Sequence, residues 1–248
     1  MKFSLTTDLT EGKFVEKLIE IAGAGFDSVE LNISDLELSL KQNQNIKKLC
    51  EEINLAICLL KCSEEFYGLI ETDKNKSLNY LQKNLEITQE IGAKTLALSI
   101  SRLKDHFNSM EGLCDYLSAA SNYAGKIGLR IALQDAPWTP ILSNGSTVID
   151  LIKKISCANL GFIINSSQCL ADGTQAARLR DIPENKIFLA QLSDSIRFGQ
   201  KTDVTWTTSR LLPGEGVLNL ESFVKILSRV GYKGPWSISN PYWFKLKP

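Results

Sequence analysis

The chain has 248 residues, 44% of them apolar, with Lys plus Arg and Asp plus Glu balanced at 28 each. That is enough apolar material for one sizeable core, and zero net charge excludes the long-range field that would draw nucleic acid or an anionic membrane. Six scattered cysteines form no C-x-x-C pair and read as reduced thiols of a cytoplasmic protein, while no apolar run nears the ~20 residues that span a bilayer.

Short apolar runs alternate with longer amphipathic segments. Run 2–6 predicts a strand, and Phe14, Leu18, Ile19, Ile21 and Ala22 at helical spacing predict a helix over 11–24, opened by Glu11-Gly12 and closed by Gly25. Strands follow at 28–32 and 55–60, with a helix over 36–52 between them. A helix over 74–92 carries the stripe Leu78, Leu81, Leu85 and Ile91, stops at Gly92 and leads into a strand at 95–100. Leu113, Leu117, Ala120 and Ala124 stripe a helix over 110–127, before a strand at 129–134. Helices over 147–157, 168–179 and 218–230 then alternate with strands at 161–165, 187–191 and 236–239. Gly25, Gly92, Gly128 and Gly231 stand where αβ turns are expected.

Eight strands alternating with about seven helices predict parallel βαβ units. The runs are apolar on both faces, as in sheets covered by helices. A closed (β/α)8 barrel, the TIM barrel, fits better than an open doubly wound sheet. The first strand leads into Thr7-Asp8-Leu9-Thr10-Glu11 and not into a glycine-rich phosphate loop. Residues 1–248 read as one domain. The longest stretch without a repeat, 192–217, holds Asp194, Arg210 and the turn Pro213-Gly214-Glu215-Gly216. Trp236, Tyr242, Trp243 and Phe244 are expected to plug the barrel base or to form an interface, which would be compatible with a homo-oligomer.

A barrel of this kind places its chemistry at the C-terminal rim of the strands. Four later runs end there in Gln134, Asn165, Gln191 and Ser239. Converging polar side chains suit a metal ion, yet none of the four is a carboxylate, an imidazole or a thiolate.

These residues lie within a wider pattern. Ala24-Gly25-Phe26-Asp27-Ser28-Val29-Glu30 surrounds the second strand, Ile182-Pro183 precedes the seventh and Gln191-Leu192-Ser193-Asp194 ends it. Gly231-Tyr232-Lys233-Gly234-Pro235 precedes the eighth. In this order the chain resembles the xylose isomerase-like sugar phosphate isomerases and epimerases. Within them it looks closest to bacterial 3-dehydroshikimate dehydratases of the single-domain type. The resemblance implies that Gln134, Asn165, Gln191 and Ser239 occupy the positions of a divalent-metal site otherwise built from Glu, Asp, Gln or His, and Glu. It also implies that Gln168, in Asn165-Ser166-Ser167-Gln168, replaces a histidine of a D-S-x-H pattern. Carboxylate charge offsets the dehydration of Mg²⁺ or Mn²⁺, so this neutral set predicts no resident cofactor and at most weak Mg²⁺ or Mn²⁺ binding.

The remaining candidates follow from residue type and place. Glu30, Asp194 and His106, the sole imidazole of the chain, are the candidate proton carriers. Arg102, Lys104, Trp138, Gln168 and Arg210 are candidate contacts for a small ligand: a sugar, a sugar acid or a phosphate ester. Two functions stay open. One is an isomerase or lyase acting on a small polyhydroxylated carbonyl compound by an altered mechanism. The other is a catalytically inactive, metal-free binding or regulatory barrel. Endonuclease action on abasic DNA, known from the same fold group, would need several metals and a histidine-rich rim, and a single histidine argues against it.

Overall fold

The computed structural model describes residues 1–41, 44–62, 74–98, 109–134, 145–171, 178–196 and 210–239. The elements in chain order are β1 (Phe3–Thr6), α1 (Phe14–Gly23), β2 (Ser28–Asn32), α2 (Ile33–Lys41), α3 (Ile46–Glu52), β3 (Ala56–Lys61), α4 (Lys74–Glu90) and β4 (Thr95–Leu98). Then come α5 (Met110–Lys126), β5 (Arg130–Leu133), α6 (Gly145–Ile155), β6 (Leu160–Asn165), α7 (Ser166–Ala171) and β7 (Ile187–Leu192). The chain continues through β8 (Asp194–Ser195), β9 (Arg210–Leu211), α8 (Leu220–Val230) and β10 (Trp236–Ile238). Eight of the strands close a parallel barrel in the order β1-β10-β7-β6-β5-β4-β3-β2. The fold expected from the alternation of runs is the one observed.

Strand alternation sorts the side chains into two environments. Val29, Leu31, Leu60, Leu96, Leu98, Ile131, Leu133, Phe162, Ile164, Ala190 and Trp236 join the large core between the strands and the helices. Leu59, Ala97, Ala132, Ile163, Phe188 and Leu189 form a separate small cluster inside the barrel. Helix α8 illustrates the outer packing. Asn219 caps it by accepting the Ser222 N–H at 2.9 Å, and its buried face is Phe223, Ile226 and Leu227. Trp236 meets Phe223 and Tyr232 edge-on, with ring centroids 6.3 and 5.3 Å apart. The expectation that Trp236 plugs the base is therefore corrected: it faces α8, because odd and even positions of β10 point to opposite sides. Tyr242, Trp243 and Phe244 lie outside the described residues.

Other differences are local. The helix expected over 36–52 is two helices, because Asn45 starts a new one by accepting the Lys48 N–H at 2.9 Å. The helix expected over 168–179 begins earlier, at Ser166, and is described as far as Ala171, while 172–177 lie outside the described residues. Within 192–217, Asp194–Ser195 pairs antiparallel with Arg210–Leu211. The αβ glycines at 25, 92, 128 and 231 all have positive φ. Gly161 on β6 is needed for another reason. A Cβ there would stand 2.5 Å from the Lys186 carbonyl oxygen and 2.7 Å from the Phe188 ring. Its absence lets Phe188 fill the barrel beneath Arg130, whose guanidinium lies 4.2 Å from the ring centroid. Among the described residues no helix is long and apolar enough to cross a membrane, and all six cysteines are free.

Candidate functional site

The barrel register puts polar side chains on a continuous row. Ser28 pairs with Ser4, Ser4 with Ser237, Ser237 with Gln191 and Gln191 with Asn165. Paired residues of parallel strands share a face, so the row crosses β2, β1, β10, β7 and β6 on the inner side. All five are buried. Glu30, two residues past Ser28, is inner by the same alternation and is fully buried.

Asn165, Gln191 and Glu30 are linked in one direction. The Ser167 backbone N–H donates to Asn165 Oδ1 at 3.0 Å, and the hydroxyls of Ser167 and Ser193 lie 2.8 Å from the same oxygen. A backbone N–H can only donate, so this atom of Asn165 is the oxygen. Asn165 Nδ2 then donates to Gln191 Oε1 at 3.3 Å, and Gln191 Nε2 donates to Glu30 Oε2 at 2.8 Å. The last bond reaches from β7 to β2 across two intervening strands. Asn165 also caps α7 by holding its first turn, and Ser166 Oγ ties that turn to the Ser193 carbonyl at 2.6 Å.

Burial pushes the Glu30 carboxyl above the usual carboxylate range, and the Asp8 charge acts in the same sense. The Lys61 charge and the neighbouring Ser237 and Gln191 oppose them. Nearby Cys58 is pushed up to about 12 by burial and by the Glu30 charge. Next to Glu30, at the ends of β1 to β3, lies a second polar group. Burial raises the Asp8 carboxyl, but Lys61 at 3.0 Å, Asn32 at 3.0 Å and Thr6 at 3.2 Å bring it below its ordinary value. Sequence reasoning missed this group. Thr6, Asn32 and Lys61 end their strands just as Gln134 and Asn165 do, so the same rule applied to the first three strands would have found it.

The structure brings Glu30, Asn165 and Gln191 together. Ser239 is buried beside β7, its N–H donating to Leu192 O at 3.2 Å. Gln134 is half-buried at the end of β5, held by a bond from its N–H to Leu98 O at 2.9 Å. Gln168 is buried on α7, and its Oε1 has no hydrogen-bond partner among the described residues. Asp194 is engaged elsewhere. Its carboxylate accepts backbone N–H groups from Ser195 at 2.8 Å, Leu218 at 3.0 Å and Gly214 at 3.1 Å. A Cβ on Gly216 would stand 2.3 Å from Asp194 Oδ1. Asp194 thus anchors the Pro213–Gly216 turn. Arg102, Lys104, His106 and Trp138 lie outside the described residues, as does the side chain of Arg210.

The donor set can be tested against the divalent cation that the resemblance implies. Asn165 Oδ1 already receives protein donors, and Gln191 Oε1 receives Asn165 Nδ2. Among the described residues no three His, Cys, Asp or Glu side chains gather closely enough to hold a metal. The described donor set of Gln134, Asn165, Gln191 and Ser239 does not fit a Mg²⁺ or Mn²⁺ site, which draws on carboxylate charge and free oxygen lone pairs.

A closed parallel barrel with a polar C-terminal rim defines the class, a (β/α)8 barrel. Residues 18–242 match the model of the xylose isomerase-like TIM barrel family, and the chain belongs to that family. The 3-dehydroshikimate dehydratase of Pseudomonas putida is 28% identical over 239 residues, which cover 96% of this chain and 38% of that protein. An inosose isomerase of Halalkalibacterium halodurans is 26% identical over 188 residues, covering 73% of this chain and 61% of its own. A solved xylose isomerase-like TIM barrel/4-hydroxyphenylpyruvate dioxygenase fusion protein superposes with a TM-score of 0.85 at 28% identity, over 96% of this chain and 38% of that one. The chain therefore spans well under half the length of the dehydratase it matches, which is not of the single-domain length expected from the motifs.

Proposed function

We propose that the C-terminal rim takes a small polyhydroxylated carbonyl compound, such as a sugar or sugar acid, and holds it without a resident divalent cation. The relatives' names, a dehydratase and an inosose isomerase, supply the ligand class. The observation that carries the metal-free part is the one-directional run from Ser167 through Asn165 and Gln191 to Glu30. It spends on the protein itself the oxygens that a cation would need. Neutral amides and hydroxyls remain suited to sugar hydroxyls, which both donate and accept.

A second reading, turnover as an isomerase or lyase by metal-free proton transfer, is favoured by Glu30. It is a fully buried carboxyl raised by that burial, at the end of the amide row. The test has two parts. Metal content is measured after equilibration with Mn²⁺, Co²⁺, Mg²⁺ and Zn²⁺ in turn, with thermal shift alongside. Thermal shift is then repeated against a panel of sugars, inososes and sugar acids, including 3-dehydroshikimate. The expected result is no stoichiometric metal and a raised Tm with one ligand group. Stoichiometric metal with a raised Tm would overturn the proposal. Product formed from the bound ligand in chelator would establish the second reading.

A further inference from the structure

The group at the ends of β1 to β3 opens onto the rim. Asn32 pairs with Lys61 as Glu30 pairs with Leu59. Leu59 points into the barrel, so Lys61 and Asn32, two positions further along their strands, are inner as well and nearer the rim. The Asp8 and Lys61 side chains keep 26% and 16% of their surface exposed, whereas Glu30 beneath them is fully buried. Burial raises the Asp8 carboxyl, but Lys61, Asn32 and Thr6 hold it below its ordinary value, so it is ionised at neutral pH. An ionised carboxylate offers about four acceptor positions. Asp8 Oδ2 accepts from Lys61 Nζ at 3.0 Å and from Thr6 Oγ1 at 3.2 Å. Asp8 Oδ1 accepts from Asn32 Nδ2 at 3.0 Å, which leaves about one position on that oxygen. Asn32 is fixed in this role, because its own Oδ1 accepts the Ser34 N–H at 3.1 Å and the Ser34 hydroxyl at 2.9 Å. The ammonium groups nearby are matched: Lys61 by Asp8, and Lys17, which also reaches the Thr7 carbonyl, by Asp35 at 3.0 Å.

We propose that Asp8 is a specificity-determining residue of the rim: through Oδ1 it accepts a hydroxyl of the ligand, and by holding Lys61 it keeps an acidic group away from the β1–β3 side. The inference rests on the reading of the rim as a ligand site and narrows the ligand there. An ionised carboxylate is acceptor-only, so it cannot donate to Asp8 Oδ1 and meets the Asp8 charge at close range. To reach Lys61 it must displace Asp8 from a charge-assisted bond. A hydroxyl donates to Oδ1 and leaves the pair intact. The edge of the ligand that lies over β1–β3 is therefore a neutral, hydroxyl-bearing one.

The test compares 3-dehydroshikimate with its methyl ester, which lacks the charge, and adds an inosose as a neutral polyol and sulfate as a plain anion. Wild type, Asp8→Asn, Asp8→Ala and Asp8→Asn/Lys61→Met are titrated by thermal shift at constant ionic strength. Loss of the carboxylate uncovers Lys61, so Asp8→Asn should bind 3-dehydroshikimate about tenfold more tightly than wild type or better. The ester should not improve, and the double variant should lose the gain. Sulfate should follow the same order, with a saturable rise in Tm for Asp8→Asn beyond that of wild type. Asp8→Ala, which puts no amide against Lys61, should show both gains and should bind the inosose about tenfold more weakly. Asp8 variants that take acid and sulfate no better than wild type would overturn the inference, as would a gain that survives Lys61→Met or an inosose affinity unchanged in Asp8→Ala. A sulfate gain through Lys61 in a protein whose wild type binds no sugar, inosose or sugar acid would sustain the masking of Lys61 and sink the ligand class proposed above, so the two failures are told apart.

Discussion

Asn165→Asp probes the site most sharply, because it restores the residue type that the resemblance implies there. The carboxylate keeps the shape of Asn165 and its acceptor contacts to Ser167 and Ser193. It loses the Nδ2 donor, so Gln191 Oε1, now 3.3 Å from that nitrogen, would face another acceptor. Turning the Gln191 amide over repairs this end but presents Oε1 to Glu30 Oε2, where Nε2 now donates at 2.8 Å, and that arrangement requires a proton on Glu30. The variant therefore either strands a buried acceptor, at about 1–3 kcal/mol, or binds an extra proton. The expected loss of Tm is about 2–4 °C per kcal/mol for a chain of this size. The sign with pH follows. A carboxyl introduced into this buried site has a folded-state pKa above its unfolded value, so the folded variant binds more protons and loses stability as pH rises through that window. Scanning calorimetry between about pH 5 and pH 8, with and without saturating Mn²⁺, is the assay. A variant as stable as wild type at pH 8, or one that Mn²⁺ stabilises strongly, would refute the reasoning and reinstate a cation site.

Three further outcomes are expected. Burial holds the Glu30 carboxyl above its ordinary value of 4.5, so wild type loses stability as pH rises from there through the folded value; Glu30→Gln removes that loss, and urea denaturation across the range should give a flatter curve for the variant. Lys61→Met leaves Asp8 without its cation. Asp8 is depressed, so its contribution is present above 3.8 and is lost on acidification; the variant should lose about 1–2 kcal/mol at neutral pH, between the surface and buried limits for such pairs, and little at about pH 3. Gly161→Ala forces Phe188 or the Lys186 backbone to move and should cost about 1–3 kcal/mol, measured by chemical denaturation with the Phe188 ring resonances as a local probe.

The barrel was legible because its signal is periodic and redundant. Eight apolar runs with glycine-closed helices between them leave few alternatives, and strand 28–32 was located to the residue. Element ends were less legible where a side chain decides them. Asn45 divides 36–52 by capping a new helix, and Asn165 begins α7 two residues before the first residue of the expected helix, 168. The site was half legible. That Asn165 and Gln191 end inner strands follows from strand position, but their bond to each other and to Glu30 does not, since Glu30 is 161 residues from Gln191 and adjacent only once the barrel closes. Asp194 shows the converse: a carboxylate at a strand end looks available in a sequence, whereas three backbone N–H groups claim it in the fold.

Amides where the resemblance implies carboxylates do more than remove charge. Two carboxylates at 165 and 30 would both be acceptors, and only a cation or a proton could reconcile them across Gln191. With Asn at 165, each amide supplies one donor and one acceptor, so the row closes on itself and Glu30 becomes its single acceptor-only end. On the metal-free reading proposed above, the row needs neither a cation nor a second proton to satisfy its amides. Whatever binds there meets a surface in which a carboxyl raised by burial lies at the end of that row. Ligand recognition and the protonation of Glu30 are therefore coupled: a ligand donating to Gln191 Oε1 or displacing Asn165 should move the Glu30 midpoint, and one that touches neither should leave it in place. Carboxyl ¹³C titration with and without the ligand identified by thermal shift distinguishes the two.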